Sequence, residues 1–197
     1  MTPRERVRTA MGGGVPDRVP VFPVITYMHA SRILGKNVRE FVLDPDLTFR
    51  AAAEAWRYYR YDGFELGFSR PRGSEPVRWG VCGGVEVLLD GEGNALAQMP
   101  PDDMPLPLRP EPPLVRSIED VEKITVTPAS HYIDSGMLEG AAYVRRETGD
   151  GAYLAGVAAG QTMNSLVQFL GTERALLALA EEPELVKAVM DRATDAT

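Results

Sequence analysis

The sequence predicts an α/β fold with parallel strands, and three observations carry that prediction. Residues 18–27 are rich in Val, Phe and Ile, residues 61–68 alternate in character, and a helix-patterned stretch lies between them, the spacing of a βαβ unit. Residues 152–159 form a continuous run of small and apolar residues, as expected of a strand covered on both faces. Helical patterns then close the chain.

The elements follow in order. Thr2 can cap a first helix, Pro3 suits its first turn, and Glu5 completes a capping box. Gly12-Gly13-Gly14 ends that helix, because glycine loses the most backbone freedom when helical, and the run lacks the strand-then-helix setting of a phosphate loop. Pro20 and Pro23 place the strand over 18–27 at a strand start or an irregular edge. Asp44 caps the next helix, with Pro45 at its first position; Leu47, Ala51, Ala55 and Tyr58 recur at helical spacing through about Tyr59. In the strand over 61–68, Phe64, Leu66 and Phe68 share one face, and Gly63, Glu65, Gly67 and Ser69 the other.

Residues 77–99 behave differently. Two apolar stretches, 85–89 and 95–99, flank Asp90-Gly91-Glu92-Gly93-Asn94, which predicts a β-hairpin excursion near 85–99 outside the parallel sheet. Residues 100–113 are proline-rich and read as an extended connector. Ser117-Ile118-Glu119-Asp120 starts a short helix by capping-box logic, and a helix over 135–148 ends at Gly149. Two helices follow, near 172–180 and from Pro183 through Ala193. No internal repeat is visible.

A chain of 197 residues can bury one core, so 1–197 reads as a single domain. No apolar run reaches the roughly 20 residues needed to span a bilayer, and the charged start, Met1 to Arg6, leads into no signal-peptide core. The single cysteine, Cys82, excludes a disulfide framework or a Cys-rich zinc site within these residues. Together these features suggest the cytoplasm. A net charge of -7 argues against nucleic-acid binding, which needs a basic face, and leaves room for a local basic pocket holding an acidic small molecule. His131 and Cys82 carry no companion motif and read as structural.

Several segments resemble the uroporphyrinogen decarboxylase family, in the same order. Thr2 to Val7 followed by Pro16-Asp17-Arg18-Val19-Pro20-Val21 resembles its opening, and Tyr61-Asp62-Gly63-Phe64 its second barrel strand. Pro113-Leu114-Val115 with Ser117-Ile118-Glu119-Asp120-Val121 resembles its connector. Gly160-Gln161-Thr162-Met163 through Leu170-Gly171, then Glu182-Pro183-Glu184-Leu185-Val186, resembles the stretch after its central strand. The resemblance implies the N-terminal portion of a (β/α)8 barrel. A closed barrel typically needs ~250 residues, so the expectation is a partial barrel, with a partner-paired half and a small open α/β fold as alternatives.

The family's decarboxylases use no metal or organic cofactor and hold acidic tetrapyrroles with arginines and an aspartate. Against its first-strand motif P-V-W-M-M-R-Q-A-G-R stands Pro23-Val24-Ile25-Thr26-Tyr27-Met28-His29-Ala30-Ser31-Arg32, which keeps Arg32 and replaces the other arginine by Met28. Ser69 stands at the aspartate position and Leu166 at a tyrosine position. These departures favour the sister branch that the resemblance also implies, the corrinoid-dependent methyltransferases. There a cobamide is the substrate, and zinc on His and Cys ligands in the C-terminal half activates a thiol acceptor. This chain holds no His-x-Cys pair, so it is expected to bind neither cofactor alone. Partners are then a small molecule or a corrinoid protein, with a homo-oligomer or a second half as further expectations.

In such a barrel the small face of the strand over 61–68 points inward, burying Glu65 in the lumen; a ligand or proton contact and a salt bridge to a lumen arginine are equal readings. Tyr27, His29 and Arg32 follow the first strand, and Ser69, Arg70 and Arg72 the second, at the C-terminal mouth where barrels keep their sites. Their bland readings are exposed loop residues and surface charges. Gln161, Thr162 and Asn164 follow the central strand; they could hydrogen-bond a ligand, although Thr162 or Asn164 could equally cap a helix. Methyl transfer leads, with uroporphyrinogen decarboxylation and a non-catalytic or partner-completed half-barrel as alternatives.

Overall fold

Helix α1 (Pro3–Met11) forms where the capping box predicts it. Thr2 Oγ1 accepts from the Glu5 amide at 3.2 Å, the Glu5 carboxylate accepts from the Thr2 amide at 2.8 Å, and Gly12 ends the helix. The computed structural model describes residues 1–100, 104–108, 113–157 and 163–195.

The strand expected over 18–27 does not form. Pro20 and Pro23 have no amide to donate, and the backbone contact to the start of β1 (Gly63–Leu66) is made at Val21: its carbonyl accepts from the Asp62 amide at 2.9 Å and its amide donates to the Asp62 carboxylate at 2.8 Å. Helix α2 (Tyr27–Leu34) begins inside the expected strand and ends at Gly35, whose φ of 63° is left-handed. Helix α3 (Val38–Leu43), with a capping box from Asn37 and Glu40, was not foreseen. Helix α4 (Asp46–Tyr59) starts where Asp44 Oδ1 accepts from the Asp46 amide at 3.2 Å. Its Leu47, Ala51 and Ala55 are buried as expected; Tyr58 is 77% exposed, and Phe49 and Ala52 complete the inward face instead.

Strand β1 follows. The helix expected over 135–148 forms over its later part as α6 (Glu139–Thr148); an additional helix, α5 (Ala129–Asp134), precedes it, and Gly136 turns the chain between them at a φ of 80°. Strand β6 (Tyr153–Gly156) pairs parallel with β1, Glu65 opposite Ala155. Phe64 and Leu66 pack with Phe49, Ala52 and Ala55 of α4 and Val144 of α6. Full burial of Phe64 contributes about 2 kcal/mol. A Cβ on Gly63 would lie 2.5 Å from the Tyr153 carbonyl oxygen, so only glycine lets these backbones approach.

The expected hairpin forms a separate antiparallel sheet: β2 (Arg78–Cys82), β3 (Val85–Leu89), β4 (Ala95–Gln98) and the two-residue β5 (Leu106–Pro107). The Arg39 guanidinium grips the Glu86 carboxylate, and Trp79 Nε1 donates to the Arg39 carbonyl at 3.3 Å, which fastens this sheet to α3.

The chain divides into two compact units, Met1–Leu106 with Tyr132–Val157, and Pro107–His131 with Ala158–Thr197. The second contains a 3-10 helix (Ile118–Lys123), α7 (Met163–Leu170), α8 (Thr172–Glu181) and α9 (Pro183–Asp195). Its core gathers Val115, Ile124, Leu166, Leu170, Leu185 and Val189. Three α-helices close the chain rather than two, α7 being the addition. Ser117 makes no side-chain cap; Asp120 Oδ2 instead accepts from the Arg116 amide at 2.9 Å. The molecule is a mixed α/β structure with small parallel and antiparallel sheets. Among the described residues the parallel strands are two, and no closed barrel is present. No helix among them is long and apolar enough to cross a membrane.

Candidate functional site

Strands β1 and β6 run in the same direction, so their C-terminal ends open on one side of their unit. A cleft of about 310 Å³ lies there, lined by residues that follow both strands, Gly67, Phe68 and Val157. The start of α4 supplies Pro45, Thr48 and Phe49, and residues 24–26 supply Val24, Ile25 and Thr26. The walls are mainly apolar, and the Phe68 ring leans on Tyr132 at 5.1 Å. The polar groups are Glu65, Thr26 and Thr48. Among the described residues, Thr48 Oγ1 is buried with no hydrogen-bond partner.

Glu65 is exposed, which corrects the expectation of a carboxylate buried in a lumen. The alternation along β1 is as read, with Phe64 and Leu66 turned into the helix layer. Among the described residues no further strand covers the opposite face, and Glu65 lines the cleft. Among the described residues its carboxylate makes no hydrogen bond or ion pair, so the salt bridge to a lumen arginine is not formed either.

The other expected site residues take separate places. Tyr27 is the first residue of α2. His29 is half-buried, its ring 5.5 Å from Tyr59, which stacks on Tyr61 at 5.4 Å. Arg32 is exposed in the last turn of α2, where a cation suits the negative helix end. Ser69 is buried: its amide donates to the Met137 carbonyl at 2.8 Å, and its Oγ accepts from the Gly140 amide at 2.9 Å, satisfying an open amide in the first turn of α6. Arg70 is half-buried. Arg72 pairs with Glu139, and its amide donates to the Ser135 carbonyl at 2.7 Å. Asn164 stands exposed in the first turn of α7, in the other unit. Gln161 and Thr162 lie outside the described residues. Glu65 is thus the one foreseen residue that lines the cleft, and Thr26, Thr48, Phe49 and Phe68 join it there.

Comparison with protein families, curated proteins and solved structures returned no match.

The strongest electrostatic arrangement in this unit went unforeseen. Asp62 is 0% exposed. Its Oδ1 accepts from Arg6 Nη1 and, at 2.8 Å, from Arg18 Nη2; its Oδ2 accepts from Arg18 Nη1 at 2.7 Å and the Val21 amide at 2.8 Å. Arg6 also holds Asp17, at 2.5 and 2.8 Å. Burial pushes the Asp62 carboxyl up, but the Val21 amide, Arg18 and Arg6 together outweigh it and hold it below the usual carboxylate range. Arg6 likewise keeps Asp17 well below that range, and Asp17 raises Arg6. This cluster fastens α1 and residues 17–21 to β1, and its groups are saturated by one another. The sequence signal was present in Asp17-Arg18 and Asp62, charges bordering apolar stretches, although nothing in it said they would meet.

Cys82 is an exposed free thiol on β2, and His131 lies in α5. Among the described residues no three His, Cys, Asp or Glu side chains converge as a metal site. The zinc implied by the methyltransferase resemblance therefore has no fit in them, and no zinc chemistry is assigned to these residues.

Proposed function

We propose that this chain is part of an enzyme of the (β/α)8 type, acting on a small molecule at the C-terminal ends of β1 and β6, with methyl transfer between a cobamide and a small acceptor as its reaction. The single observation that carries this reading is Glu65, an exposed carboxylate without a cation in a mainly apolar cleft. A site for a tetrapyrrole bearing several carboxylates needs guanidinium groups. Here Arg32 and Arg72 do not line the cleft, and Ser69, at the position of the family's aspartate, is engaged with α6. The chemistry favours a weakly polar ligand that donates a hydrogen bond to Glu65 and packs on Phe49 and Phe68. On this reading the protein works in the cytoplasm with a diffusible small molecule or a corrinoid protein.

The test is methyl transfer from methylcobalamin, followed by its visible spectrum, with thiols and alkylamines as acceptors. Turnover that Glu65→Gln lowers about a hundredfold or more supports the proposal. Carbon dioxide release from uroporphyrinogen without methyl transfer overturns it. One observation favours a second reading, a half-barrel completed by a partner. Among the described residues β6 pairs only with β1, which leaves its other edge open to a further strand. Co-purification with a second chain, and turnover only in its presence, would establish that reading.

A further inference from the structure

At the other end of the parallel pair, where β6 begins, lies a separate concavity of about 260 Å³, lined by Arg4, Arg8, Arg145, Tyr153 and Leu154. Arg4 and Arg8 stand four residues apart on α1, hence on one helix face. Arg145 comes from the last turn of α6. One carboxylate answers these three cations. Asp150 Oδ1 accepts from Arg4 Nη1 and from Arg145 Nη2, each at 2.8 Å, so one oxygen draws two guanidinium groups together and leaves most of their donors unused. Arg8 is exposed and, among the described residues, its side chain has no hydrogen bond or ion pair. In a chain of net charge -7, this is a local excess of two positive charges around a hollow.

We propose that this concavity is a binding site for a small phosphate-bearing anion, a diphosphate group in particular, distinct from the Glu65 cleft. A tetrahedral oxyanion presents oxygens in several directions, and guanidinium forks on two helices can each take a pair of them. Tyr153 also lines the concavity. The ligand replaces no existing bond of Arg8 and completes the charge balance that Asp150 only begins. Because this end of the strands is opposite the cleft, the site binds without taking part in the chemistry proposed above.

The test is calorimetric titration of the whole chain with inorganic pyrophosphate at ionic strength fixed by sodium chloride, and with citrate as the carboxylate counterpart. The expected result is saturable one-to-one binding, weakened about tenfold or more by Arg8→Ala and unchanged by Lys187→Ala. Arg8→Ala removes no side-chain hydrogen bond or ion pair of the fold, so a lost signal reports the site. Absence of heat beyond the salt-matched control, equal binding by Arg8→Ala, or citrate binding as tightly as pyrophosphate overturns the proposal.

Discussion

Asp62 shows how much one residue can fix. Its carboxylate takes four hydrogen bonds from two arginines and one amide, and its neutralisation leaves the buried Arg6 with Asp17 as its one remaining carboxylate partner. Asp62→Asn is therefore expected to destabilise the protein by about 3 kcal/mol, read from the urea midpoint. The Arg39–Glu86 pair is a contrast, since both side chains are substantially exposed and solvent screens them. Arg39→Ala should cost under about 1 kcal/mol. The same carboxylates set an acid limit. Asp62 and Asp17 bind protons less readily folded than unfolded, so the unfolded chain gains protons first as the pH drops. The stability they contribute is whole above about pH 4 and drains as the pH falls through their lower folded values. Urea midpoints measured across that range should fall with acid in the wild type and less steeply in Asp62→Asn, in which Asp17 still contributes.

At the scale of elements, the contact of α4 with α6 is the tightest joint. Gly140 sits so close to Phe49 that an added Cβ would lie 2.2 Å from the ring. Gly140→Ala should cost about 2 kcal/mol through overpacking, whereas Ser69→Ala, which removes one acceptor from the same turn, should cost about 1 kcal/mol. Thermal or urea unfolding of the two variants measures both. Local chemistry explains which elements could be read beforehand. The Thr2–Glu5 box, Gly149 and the Asp90–Asn94 turn act within a few residues, and each marks its boundary correctly. The strand over 18–27 fails because its apolar composition says nothing about pairing, and two prolines remove the amides a ladder needs. The later start of α6 depends on the turn at Gly136, one backbone angle that composition does not reveal.

At the scale of the molecule, each of the two units has buried apolar clusters of its own. Both tryptophans, Trp56 and Trp79, belong to the first unit, while the second is helical and has none. Leu170→Ala opens a cavity in the second core and should remove about 3 kcal/mol there. The far-ultraviolet circular dichroism midpoint should then fall further than the tryptophan fluorescence midpoint; equal shifts would show one cooperative unit. The candidate site was legible in part for the same reason the fold was. Alternation along β1 placed Glu65 opposite Phe64 and Leu66, but whether that face is covered depends on strands distant in sequence. Thr26 and Thr48 reach the cleft from separate elements, and no spacing rule links them to Glu65.

The proposed chemistry requires a ligand at the C-terminal end of β1 and β6. Titration of isotope-labelled protein with methylcobalamin, followed by backbone amide shifts, examines that directly. The expected result is saturable change concentrated at Thr26, Glu65, Gly67 and Phe68. Saturation with changes confined to other surfaces, or a spectrum that does not respond, would contradict it.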